Sequence, residues 1–108
     1  MNHRDSQIVK KLLQETAMIA ELLQGINRDA FLEDERTVRA VCMTLINIGE
    51  LVKNITAETK AAHPEIPWRA IAGMRDITAH KYQTLRKEDV YLTCVRDIPA
   101  FEKQIRAL

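Results

Sequence analysis

Six apolar side chains, Val38, Val41, Leu45, Ile48, Val52 and Ile55, follow one another in alternating steps of three and four. That spacing lays them along one stripe of a helix, because a helical residue returns to the same face roughly every 3.6 positions whereas a strand alternates. A long helix is therefore predicted from about Asp34 to Thr59, with this heptad-like seam facing another helix. A second line, Cys42, Ile46 and Gly49, asks for burial on another side as well, which suits a helix at the centre of a bundle or of a dimer. Gly49 costs a helix about 1 kcal/mol relative to Ala unless close approach of another helix requires it. Asn47, Glu50 and Asn54 mark a polar line, read either as a solvated face or, at Glu50, as the edge of a cleft.

The flanking segments carry the same period. A first helix is predicted from about Ser6 to Ile26, with Ile8, Leu12, Ile19, Leu22 and Ile26 as its stripe, Val9, Leu13 and Leu23 widening it, and Gly25 and Asn27 ending it. Pro64 and Pro67 push the residues before them out of the helical region and break the pattern, and a short third helix follows from Trp68 to His80. Its packing residues are Trp68, Ile71, Ala72 and Met74, with Trp68 as a core anchor. After a linker from Tyr82 to Arg86, a last helix starts near Lys87 with Glu88 and Asp89 opposing its positive end. It packs through Tyr91, Cys94 or Val95, Ile98, Phe101 and Ile105, and Pro99 inside the pattern calls for a kink near Asp97. The chain reads as all-α, a four- to five-helix up-down bundle with a short third helix, in a single domain over residues 1–108.

Composition narrows the function classes. With 108 residues, 46% hydrophobic and only three glycines and three prolines, nothing marks a second domain or a linker. No apolar run approaches the roughly 20 residues needed to cross a bilayer, and Met1 to Ser6 is polar, so a soluble, cytoplasmic chain without a membrane role is expected. Cys42 and Cys94 lie among apolar helical residues and suit buried thiols in a reducing compartment. His3, His63 and His80 are far apart without ligand-type spacing, and neither a metal nor another cofactor is expected. The charge is near neutral overall but uneven. Residues 69 to 87 carry Arg69, Arg75, Lys81, Arg86 and Lys87 against the single acid Asp76, so attraction for a polyanion is confined to one region.

That region holds the run Arg75-Asp76-Ile77-Thr78-Ala79-His80-Lys81-Tyr82, with a guanidinium, an imidazole and a phenol within eight residues. These groups can hold and cleave a phosphodiester without a metal. An imidazole that titrates near pH ~6.5 can take or give a proton at neutral pH, and a permanently charged guanidinium can stabilise the negative charge that gathers on phosphate oxygens. On a straight helix Arg75 and His80 would stand about 140° apart, whereas Asp76 and His80, four residues apart, would share a face. Asp76 is then placed to orient the imidazole while the long Arg75 side chain reaches around to it. The competing reading is an ion pair and helix-end cap among Arg75, Asp76 and His80, since a protonated His near a helix C-terminus is worth about 0.3 to 1 kcal/mol.

The pattern Arg, four residues, His, one residue, Tyr, after an Ile66-Pro67-Trp68 segment, resembles the HEPN-domain ribonuclease toxins of the HepT type. Ile48-Gly49-Glu50 and the closing Asp97-Ile98-Pro99 extend the resemblance from about Asp34 to the C-terminus. It implies a homodimeric, metal-independent RNA endonuclease encoded beside a nucleotidyltransferase antitoxin of the MntA kind, which adds AMP to the motif tyrosine. Carried onto this sequence, Arg75 and His80 are catalytic, with Asp76 beside them, and Tyr82 is the modified residue. Lys81, Arg69 and Glu50 are the candidate substrate-binding residues. Lys81 stands where many relatives have Gly, so either it strains at a positive φ or its ammonium adds a phosphate contact. The other function considered is a non-catalytic helical module that docks a nucleotidyltransferase or a nucleotide.

Overall fold

The computed structural model describes residues 1–77 and 79–108, with the side chains of Ala79 and His80 outside that description. Among the described residues every regular element is helical. The first helix, α1, runs His3–Leu22. It is opened by Asn2, whose Oδ1 accepts from the Asp5 amide at 2.7 Å, and it buries Ile8, Val9, Leu12 and Ile19. It stops short of the expected Ile26 because Gly25 takes a left-handed φ of 73°, which turns the chain back. A short α2, Arg28–Glu33, follows in what the pattern left as a connection; Asn27 caps it and Phe31 is fully buried from it.

Asp34 then closes α2 and opens α3, Glu35–Lys53, through two bonds from Thr37, amide to Oδ1 at 3.1 Å and hydroxyl to Oδ2 at 2.7 Å. All six residues of the seam are buried, at 3% exposure or less. The helix packs against α1, α2 and the segment after Trp68, so contacts inside one chain use the whole seam. Of the two placements open to this helix, the centre of a bundle or of a dimer, contacts within one chain put the seam at the centre of a bundle.

Alpha-helix α3 also ends earlier than Thr59. Asn54 caps it, and a separate α4, Ala57–Ala62, begins behind the N-cap Thr56. The reason is a contact distant in sequence. Buried Asp5 of α1 accepts from the Thr56 amide at 3.2 Å, from the Thr56 hydroxyl at 2.6 Å and from the Thr59 hydroxyl at 2.6 Å. Burial alone would raise the Asp5 pKa, but the bonds from Thr56 and Thr59 outweigh it and hold the carboxyl below its ordinary value. Ile55 stays in the core across the break.

The rest closes the core over α3. Helix α5, Trp68–Ala72, starts behind Pro67 and buries Trp68 and Ile71. The indole N–H donates to the His63 carbonyl at 2.9 Å and the ring meets Phe101 edge-on, as a core anchor should. A tight 3₁₀ turn, Gly73–Asp76, and a short α6, Ala79–Tyr82, follow. Helix α7, Lys87–Leu92, joins α8, Ile98–Arg106, through a π turn at Thr93–Asp97, where the Ile98 amide donates to the Thr93 carbonyl five residues back. The disturbance expected near Asp97 thus takes the form of a widened turn, which gives the Pro99 ring room against the carbonyl four residues before it. Cys94, not Val95, is the buried member of its pair. Burial lifts both thiols, Cys42 to about 11 and Cys94 to about 12, so both are free and inert. No helix among the described residues is long and apolar enough to cross a membrane.

Candidate functional site

The predicted third helix is not one helix. It ends at Ala72, tightens into the 3₁₀ turn that carries Arg75 and Asp76, and gives way at Ile77 to extended backbone with ψ 102°. The one-face argument for Asp76 and His80 therefore does not apply, because an unbroken helix between them is what it required. The convergence expected of His80 on Arg75 concerns a side chain outside the described residues.

Gly49 fixes the position of Arg75. A Cβ at residue 49 would fall 2.9 Å from the Ala72 carbonyl oxygen and 2.9 Å from Arg75 Cβ, and nearer still to the Arg75 amide nitrogen. The bare backbone of α3 is thus the seat on which the 3₁₀ turn rests, the close approach that the glycine was expected to serve. One residue along α3, the Glu50 carboxylate lies 3.4 Å from Arg75 Nη1. Both side chains are partly exposed, 38% for Arg75 and 50% for Glu50, so the pair orients the guanidinium without hiding it. Glu50 thus meets Arg75 from the polar line of α3, while it is not among the residues that line the cleft on the other side of that guanidinium.

Beside Arg75 opens a cleft of about 400 Å³ bounded by Lys53, Lys60, Trp68, Arg69 and Asp76. It gathers cations from α3, α4 and α5 that are far apart in sequence. Arg69 belongs to this cleft, as does Asp76. Lys81 does not; it lines a second groove of about 760 Å³ with Met74, Ile77, Leu85 and Val90. The structure thus separates two of the three predicted substrate-binding residues. Lys81 is helical, and no described residue other than glycine has a positive φ, so the strain considered for it is absent.

Tyr82 closes α6 at a cluster that sequence reasoning missed. Its hydroxyl donates to Glu35 Oε1 at 2.6 Å, and the Arg39 guanidinium lies 4.9 Å from its ring centroid. Arg39 Nε also binds Glu35 at 3.0 Å, and Lys87 Nζ reaches the other Glu35 oxygen at 3.2 Å. The bond from Tyr82, then that from Lys87, lowers the Glu35 pKa. Desolvation and then the carboxylate partner raise that of Tyr82, so the phenol is held protonated. The four-residue step from Glu35 to Arg39 was visible in the sequence as a helix ion pair, but its partners lie 47 and 52 residues on. Among the described residues no group of three or more His, Cys, Asp or Glu side chains is arranged to hold a metal.

Several proteins resemble this chain over most of its length. A protein of Caldanaerobacter subterraneus subsp. tengcongensis, whose given name marks RNase activity as inferred, is 35% identical over 100 residues, 93% of this chain and 89% of its own length. "Probable ribonuclease HepT" of Thermococcus cleftensis is 37% identical over 103 residues, 92% of this chain and 94% of its own. A Methanocaldococcus jannaschii protein, likewise named for an inferred RNase, is 29% identical over 97 residues, 90% of this chain and 80% of its own. No solved structure gives a significant match. The family model described as ribonuclease HepT-like matches residues 12–108, nine-tenths of the length and the whole of the Gly49, Arg75 and Tyr82 region, and the chain belongs to that family.

Proposed function

We propose that the chain is the ribonuclease toxin of a toxin-antitoxin pair, a metal-independent endoribonuclease that cuts RNA through Arg75 and His80. The observation that carries the reading is the seating of Arg75, whose turn rests on Gly49 and whose guanidinium is braced by Glu50 at the mouth of a cationic cleft. Membership of the ribonuclease HepT-like family supports RNA as the substrate.

In this reaction the His80 imidazole takes the proton of a ribose 2′-hydroxyl. The 2′-oxygen attacks the adjacent phosphorus, the bond to the 5′-oxygen breaks, and a protonated imidazole returns a proton to that leaving oxygen. The products are a 2′,3′-cyclic phosphate and a 5′-hydroxyl, and DNA, lacking the 2′-hydroxyl, is inert. Arg75 binds the nonbridging oxygens, where negative charge gathers in the transition state. In a homodimer one His80 serves as base and its twin as acid. Asp76, on the same turn as Arg75, is the one acid in the lining of the cleft.

Regulation is assigned to Tyr82. A nucleotidyltransferase antitoxin that adds AMP there consumes the hydroxyl now donated to Glu35 and sets a bulky anion two residues from His80, opposing RNA phosphate by charge and by volume. The test is incubation of the purified chain with RNA in EDTA. Fragments ending in 2′,3′-cyclic phosphate are expected, and a folded His80→Ala chain should yield none. RNA left intact by the unaltered chain would remove the nuclease reading and favour a binding module.

A further inference from the structure

The reaction above uses Arg75, yet three more cations line the cleft beside it. Lys53 ends α3, Lys60 lies in α4 and Arg69 in α5, and the fold brings them to one concavity. Among the described residues none of the three forms an ion pair, whereas Arg28, Arg39, Arg86, Arg96 and Arg106 each hold a carboxylate. Asp76 is the one acid in the lining. Holding three such charges together opposes folding through mutual repulsion, which a bound polyanion would relieve. The volume, about 400 Å³, falls in the range of ligand sites, about 300 to 1,000 Å³.

The lining also indicates what part of a polyanion is bound. Trp68, the aromatic wall, is 7% exposed and its N–H is taken by the His63 carbonyl, so it offers neither a stacking face nor a free donor to a base. What remains is positive charge, which recognises backbone phosphate and carries no sequence information. We infer that Lys53, Lys60 and Arg69 form a subsite for RNA backbone phosphates next to the scissile one, fixing the strand's register on Arg75 without reading its bases. This deepens the nuclease reading and rests on it.

The test is binding of the full chain to a labelled oligoribonucleotide methylated at every 2′-oxygen, which cannot be cut, over a series of salt concentrations. Each phosphate contact with a single strand contributes about 0.7 to the slope of log affinity against log salt. Lys53→Ala/Lys60→Ala should therefore lower the slope by about 1.4, and adding Arg69→Ala should lower it by about 2. Lys10→Ala/Lys103→Ala, an equal loss of charge from α1 and α8, should leave it unchanged, with circular dichroism checking that all variants are folded. A slope unaltered in the cleft variants, or lowered as much in the control, overturns the assignment. Cleavage plays no part in this measurement, so the two readings fail separately. A chain that cuts RNA while its cleft variants keep the full slope loses only the subsite. One that binds through the cleft and cuts nothing loses only the nuclease.

Discussion

Replacing Gly49 with Ala puts the seat of Arg75 to a direct test. The new methyl would lie 2.9 Å from the Ala72 carbonyl oxygen and from Arg75 Cβ, and closer to the Arg75 amide nitrogen, where ordinary contact begins at 3.4 Å. Two of those three neighbours are main-chain atoms, so no change of rotamer relieves them, and the 3₁₀ turn must retreat by roughly 0.5 to 1 Å. Overpacking of this kind costs about 1 to 3 kcal/mol, and the better helix propensity of Ala returns about 1 kcal/mol, leaving a net loss of about 0 to 2 kcal/mol. Activity should respond far more strongly, because a misplacement of about 1 Å in a catalytic group costs on the order of 100-fold. Urea unfolding followed by circular dichroism gives the first quantity, and single-turnover cleavage of a labelled oligoribonucleotide in EDTA gives the second. A Gly49→Ala chain that is more stable than the parent and cuts at the parental rate would refute the reasoning, since it would mean that the turn does not depend on this approach.

Glu50→Gln keeps the shape of the brace and removes its charge. KM and kcat should both fall in steady-state cleavage, the first because a repelling anion is gone and the second because Arg75 is less well oriented, while stability should change by less than ~1 kcal/mol. Asp5→Ala removes the acceptor of three bonds at the α3–α4 junction and should cost about 3 kcal/mol at neutral pH in urea unfolding. The folded pKa of Asp5 lies below its ordinary 3.8, so its stabilisation is fully present above that value and is lost as pH falls through the lower folded value. Acid titrations of the parent and Asp5→Asn should accordingly differ in slope below pH 3.8 and run parallel above it.

Periodicity made the core legible, because burial depends on which face a residue occupies and faces follow from spacing. Every residue of the α3 seam, and Ile8, Leu12, Ile19, Ile98, Phe101 and Ile105 outside it, is buried as the pattern required. Helix ends were less legible where a distant partner sets them. Nothing near Thr56 announces that Asp5, 51 residues earlier, will satisfy its amide and divide the long helix in two. Phe31 anchors a helix of six residues, too short for any period to register. In the site, the types Arg75, Glu50 and Tyr82 stood out from their chemistry. The company they keep did not, since Lys53, Lys60 and Arg69 come to one cleft only through the packing of three elements distant in sequence.

The π turn in the closing helix has a consequence for length. Val90, Cys94, Ile98, Phe101 and Ile105 span 15 positions in four turns, and an ordinary helix at roughly 3.6 residues per turn would overshoot by about 60°. The wide turn at Thr93–Asp97 absorbs that surplus and keeps the whole stripe in phase with the interior. Deleting a single residue there would rotate everything downstream by about 100°, aiming Phe101 and Ile105 at solvent although no apolar residue had been lost. In this segment the residue count, as much as residue identity, specifies what faces inward.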